Sequence, residues 1–218
     1  MTTAITEFSR RVQPDVIGCP GIMVDAAVVD SIIRLCEDAH VIEKSFEHDV
    51  LSTDIVTTDN DSVNVNIATY ITDHRPLIVT EFRIDGGLWE TKEAQLLSDM
   101  DDISEIAVQG TKFFSYPDRT HIKFYDINAV NQRFFIKQAF APLDTITTVD
   151  DLFYDRYRKA VEAYARWILM SMPGKDWSNP ERAEYYKGIY KGEMAMAKIR
   201  KDQGFTKGST RVRSTRFF

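Results

Sequence analysis

The sequence is poor in the residues that usually announce a chemistry. It holds two cysteines, Cys19 and Cys36, and four histidines, His40, His48, His74 and His121. Two cysteines build neither the disulfide framework of a small secreted domain nor the repeated pairs of a zinc knuckle, so packed thiols in a reducing compartment are expected. Long apolar runs are also missing. The most apolar stretch, AYARWILMSM, is about half the length a membrane-spanning helix needs. The opening MTTAITEFSRR lacks the apolar core of a signal peptide. A soluble chain, made inside the cell, is the expectation.

Catalytic patterns are equally scarce. The histidines form no HxxxH pair and keep no ligand spacing to a cysteine. Cys19 lies in the turn Gly18-Cys19-Pro20-Gly21, and His40 or His48 would have to serve as its base. Neither a glycine elbow nor a cysteine-nucleophile signature surrounds it, so a packed cysteine is favoured over a small hydrolase or nuclease acting through it. Asp59-Asn60-Asp61 and Asp99-Met100-Asp101-Asp102 do not continue into the glycine and terminal glutamate of a calcium loop. They read as solvated acidic turns. No GxxxxGK[ST] or GxGxxG phosphate cradle occurs. The chain is therefore expected to be no enzyme, with no metal and no cofactor.

What is present is an ordinary globular composition with an uneven charge. Of 218 residues, 44% are hydrophobic and 28% charged, enough for one domain or two small ones without disulfides. The formal net charge of −6 divides into −12 for the first 170 residues and +6 from Ser171 onward. An acidic body argues against nucleic-acid reading over a whole face, and a basic end points to docking on something acidic. The end itself, FTKGSTRVRSTRFF, has no helical stripe and reads as an extended tail when free. Phe205, Lys207, Arg211, Arg213, Arg216, Phe217 and Phe218 are its docking candidates: arginines for carboxylates, phenylalanines for an apolar slot.

The pattern along the chain changes twice. After the Gly18–Gly21 turn, Asp25 is placed to cap a helix running to about Lys44, with Val29, Ile32, Ile33 and Cys36 on one face. From about residue 46 the period becomes two. SVNVNIATYI alternates, PLIVTEFRID with Gly86-Gly87 and LWETK reads as a hairpin, and TKFFSYP, THIKFYD and NQRFFIKQAF are β-prone. About five to seven antiparallel strands are predicted. Near Asp150 the helical period returns, with Phe153, Tyr157, Val161, Tyr164 and Ile168 marking a helix over about 151–171. Pro173 and Gly174 break it. A second helix then runs to about Asp202, started either by Ser178 with Glu181 or by Asn179 with Pro180. The expected class is α+β. Residues 1–45 and 150–203 form a helical bundle, with the N-terminal helix beside a C-terminal helical hairpin. Residues 46–149 form an inserted antiparallel β domain, and 204–218 the tail. Tyr157, Tyr164, Trp167, Trp177, Tyr186 and Tyr190 are candidates for the helical core or a subunit interface.

Two segments carry a family likeness. VQPDVIGCPGIMVDAAVVDSIIRLCEDAHVI resembles the opening of tailed-bacteriophage head-to-tail adaptor proteins, the head-completion or tail-connector family, in which a turn of this kind leads into an amphipathic helix. MPGKDWSNPERAEYYKGIYKGEMAMAKIR resembles their C-terminal helical hairpin. Between them, IDGGLWE, FFSYPDRTHIKFYD and RFFIKQAFAP are spaced like the β-rich insert of the same proteins. The likeness covers most of residues 11–201 and leaves out the basic tail. It implies a virion structural protein of the neck, at the head–tail junction, made in the host cytoplasm. It implies a homo-oligomeric ring of about twelve copies under the portal protein. The next tail or collar protein would dock on that ring, and double-stranded DNA would pass through its lumen without specific binding and without a membrane. A tail or baseplate component on the same scaffold is the runner-up. A cytosolic DNA-binding regulator would need a basic helix face, and Lys187–Lys201 alternates with apolar and acidic residues instead.

Overall fold

The computed structural model describes residues 2–56, 62–68, 70, 74–84, 95–96, 113–118, 120–124 and 132–203. Among these the chain is mixed helix and sheet, with four α-helices and ten strands in sheets that are antiparallel except for one short pair. It divides into two compact units. One is formed by Met1–Val41 with Asp144–Phe218, the other by Ile42–Leu143.

In the first unit, strand β1 (Thr2–Ala4) pairs with β10 (Thr148–Asp150), and Thr3 Oγ1 donates to Asp151 at 2.6 Å. Helix α1 (Ile5–Val12) follows, then a 3-10 turn over Gln13–Asp15. Gly18 turns the chain at φ 88°, a left-handed angle that glycine adopts without a Cβ penalty. Helix α2 (Gly21–Ala39) buries Val24, Val28, Ile32, Leu35 and Cys36, the spacing of one helical face. It starts four residues before Asp25. The Asp25 carboxylate accepts from the Ser9 hydroxyl of α1 instead of capping its own helix. It also stops short of Lys44, because His40 takes φ 49° and returns its N–H to the Cys36 carbonyl at 2.8 Å.

Helix α3 (Arg158–Met170) is entered through a π-helical turn over Phe153–Tyr157. It packs against α1, α2 and helix α4 (Pro180–Gln203). A helix with three neighbours is buried on more than one side, and its sequence shows how. Phe153, Tyr157 and Val161 are buried, and so are Ala160, Ala163 and Ala165, small side chains that let other helices come close. Gly174, at φ 70°, makes the turn between α3 and α4. Of the two possible starts for α4, the structure uses Asn179 with Pro180: Asn179 Oδ1 accepts the Arg182 N–H at 3.0 Å. Ser178 turns back to the Met170 carbonyl.

The second unit is two sheets around one core. Strand β2 (Ile42–Asp49) pairs with β9 (Arg133–Pro142), whose other edge takes β5 (His74–Ile84). Residues 42–45 therefore belong to a strand. The second sheet runs β3 (Ile55–Val56), β4 (Ser62–Asn66), β8 (His121–Phe124), β7 (Phe113–Asp118) and β6 (Gln95–Leu96), the last pair parallel. Val63, Val65, Phe114, Ile122 and Phe124 from this sheet meet Val79, Phe82, Phe134 and Ile136 from the other in a single apolar cluster. Period-two alternation gives each sheet one inward face. At the β7–β8 turn the Asp118 carboxylate accepts from the Thr120 hydroxyl and N–H and from His121, which holds it down at about 2. Gly86-Gly87, LWETK and the acidic runs at 59–61 and 99–102 lie outside the described residues.

Candidate functional site

The helical unit collects most of the aromatic residues singled out above. Tyr164, Trp167 and Tyr190 form one seam between α3 and α4, with ring centroids 4.8 Å apart for Tyr164–Tyr190 and 5.2 Å for Tyr164–Trp167. The Tyr190 hydroxyl donates to Asp38 Oδ2 of α2 at 2.8 Å, so the seam joins three helices. Burial, then the bond to Asp38, pushes the Tyr190 phenol far up, and burial also raises Tyr164 and Tyr157. These tyrosines stay neutral and act as apolar bodies with one polar handle. Tyr157 is buried against Phe153. Trp177 lies in the α3–α4 linker with the Lys175 ammonium 5.9 Å from its ring centroid. Tyr186 points to a different cluster.

That cluster centres on Arg166, a residue that only its helical position marks in the sequence. Its side chain is 13% exposed. Nε donates to Asp15 at 2.7 Å, Nη1 to Glu162 at 3.2 Å and Nη2 to the Arg11 carbonyl at 2.7 Å. Arg182 of α4 reaches the other oxygen of Asp15 at 3.1 Å. The Tyr186 ring lies 5.4 Å from the Arg166 guanidinium and 5.9 Å from that of Arg182. A planar guanidinium with several fixed donors suits this bridging task, which an ammonium would not fill. The group ties the end of α1 to α3 and α4.

Elsewhere the arrangement disfavours nucleophilic chemistry at the residues considered for it. Cys19 is buried, its thiol is directed at the Pro20 carbonyl at 3.8 Å, and burial pushes that thiol up. A reactive cysteine needs the opposite shift. In the second unit His48 sits between Tyr70 and Asp54, with Nδ1 3.2 Å from the phenol oxygen and Nε2 3.1 Å from the carboxylate. Asp54 also accepts the Leu51 N–H at 2.8 Å, and Tyr70 stacks on Phe46 at 4.6 Å. Both ring nitrogens are engaged, Nε2 fixing the 50–54 loop to the end of β2 and Nδ1 meeting Tyr70. Tyr70 and Asp54 carried no sequence signal, since their partnership depends on a loop closing. Among the described residues no group of three or more His, Cys, Asp or Glu is arranged to hold a metal ion. No described helix is long and apolar enough to cross a membrane.

The docking candidates Phe205, Lys207, Arg211, Arg213, Arg216, Phe217 and Phe218 lie outside the described residues. What the helical unit does present is the outer side of α4, where Tyr185, Met196 and Ile199 are exposed. No family model and no curated protein matches the chain.

Proposed function

We propose that the protein is a structural component of a tailed-bacteriophage particle, a head-to-tail adaptor that assembles as a ring under the portal, extends the DNA channel and offers a platform for the tail. The observation that carries this reading is the placement of the two adaptor-like segments. Residues 12–42 and 172–200, far apart in sequence, supply α2 and α4 of the same helical unit, with α3 packed against both. On this reading the arrangement is a helical bundle carrying an inserted antiparallel β domain.

Physical arguments point the same way. The clusters of the helical unit hold helices together, as suits a protein whose work is assembly. A ring needs a heterologous contact, in which one face of a subunit meets a different face of the next and closure sets the copy number. The net −12 of the first 170 residues suits a channel wall, because like-charge repulsion keeps passing DNA from adhering. The basic, Phe-ended tail is the part assigned to the portal. Deleting residues 204–218 is expected to abolish binding to the portal ring in a pull-down or sedimentation assay, while the helical signal in circular dichroism stays intact. Unchanged portal binding by the shortened chain would remove the tail from the proposal.

A further inference from the structure

Helix α4 has two faces in different situations. Ala183, Tyr190 and Ala197 are buried inside the helical unit. On the opposite side Tyr185, Gly188, Gly192, Ala195, Met196 and Ile199 recur at three- and four-residue spacing, and all are exposed, Tyr185 to 67%, Met196 to 45% and Ile199 to 46%. At 100° per residue these six fall within roughly a third of the helix circumference, over about 21 Å of its length. No charged residue shares that stripe between Tyr185 and Ile199. Gly188 and Gly192 face open space, since a Cβ placed on either would meet nothing within 4 Å. Glycine inside a helix is destabilising relative to alanine. The subunit's own packing gives no reason for two of them here, whereas close approach by another backbone does.

We propose that this face docks a second copy of the chain, α4 against α4, antiparallel about a two-fold axis. A two-fold contact must be self-complementary, and the stripe is so when pairs centred on residues 190–191 are set opposite each other. Gly188 then meets Gly192 of the second copy, which brings the helix axes to the close end of the usual 8–10 Å range. Tyr185 meets Met196, a sulfur–aromatic contact. Along the flank Glu184 meets Lys198. Glu184 is 72% exposed and pairs with the neighbouring Lys187 at 3.0 Å. Lys198 is exposed on the same flank. The same register brings the exposed Lys191 near Lys191 of the second copy at the rim, where both ammonium groups can splay into solvent. A second copy is therefore the fitting occupant through the glycine-to-glycine match and the Glu184–Lys198 pairs. The pairing does not rest on the adaptor reading. A two-fold contact closes at two copies, so it describes the free chain, and a ring would grow through other faces.

The test uses the full chain. Cys19 and Cys36 are buried, so a cysteine placed on α4 is the reactive one. Gly188→Cys and Gly192→Cys proteins, mixed under mild oxidation, are expected to form the mixed 188–192 disulfide between copies ahead of either self-disulfide, because only facing positions bring two Cα atoms within disulfide reach. Light scattering of the unmodified chain should give twice the chain mass, falling to the monomer on dilution. Gly188→Leu with Gly192→Leu should be monomeric with a melting temperature no lower than the parent, since the added side chains meet open space. A parent chain that is monomeric at every concentration would overturn the proposal. So would disulfides with no 188–192 preference, or a dimer that survives the double leucine change. A parent chain that forms the dimer but shows no binding to the portal ring would count against the adaptor reading alone.

Discussion

The two units reach a closed core by different means. The β unit gathers Phe82, Phe114, Phe124 and Phe134, with ring centroids 4.3 to 6.5 Å apart, beside aliphatic residues from both sheets. None of these rings carries a polar end. The helical unit uses tyrosines and arginines whose polar ends land on particular acceptors: Tyr190 on Asp38, Arg166 on Asp15 and Glu162, Arg182 on Asp15. The difference follows from what positions the elements. Strands are set in register by their own ladder of backbone hydrogen bonds, so the core between sheets can be filled by burial that has no direction. Helices satisfy their backbone internally and have no ladder between them. Their placement relative to one another falls to side chains with directional bonds.

Two substitutions test that contrast. The larger effect is expected in the β unit. Phe134→Ala removes a fully buried ring that touches Phe82 and Phe124, and urea unfolding should show a loss of about 4 kcal/mol. In the helical unit, Arg166→Met keeps the apolar stem and removes the charge that Asp15 and Glu162 share. A loss of about 2 kcal/mol is expected, because the Arg11 carbonyl loses its donor while Asp15 keeps only Arg182 and Glu162 only the longer contacts to Arg11 and Arg158. Arg166→Lys should recover little of it, since a single ammonium cannot reach two carboxylates and the Arg11 carbonyl together. An Arg166→Met protein as stable as the parent would break the comparison and leave the helical unit held by burial alone.

How much of this was legible in the sequence varied with the element. The period-two pattern of SVNVNIATYI placed β4, and the Phe153, Tyr157, Val161 stripe placed the entry to α3, because each element shows one face to a core. The end of α2 was misread. Val41-Ile42-Glu43-Lys44 continues a plausible helical pattern, and only the left-handed turn at His40 and the pairing of Ile42 with Phe140 make it a strand. Asp25 has the chemistry of a cap, yet tertiary structure gives it to Ser9. The Arg166 cluster was invisible for a related reason: its members come from positions 11, 15, 162, 166 and 182. No local spacing brings those residues together. The glycines of α4 were in plain view, but their meaning depends on which side of the helix the fold covers.

The central claim is that the chain works by assembling on a portal, and mass analysis by light scattering tests it most directly. The purified protein would be measured alone and after mixing with the cognate portal ring. The account predicts a small species alone and, on the portal, a complex containing about twelve added copies, the number a ring matched to the portal would close at. No association with the portal, together with a particle-derived count nearer six, would contradict the adaptor assignment and favour a tail or baseplate position for the same scaffold.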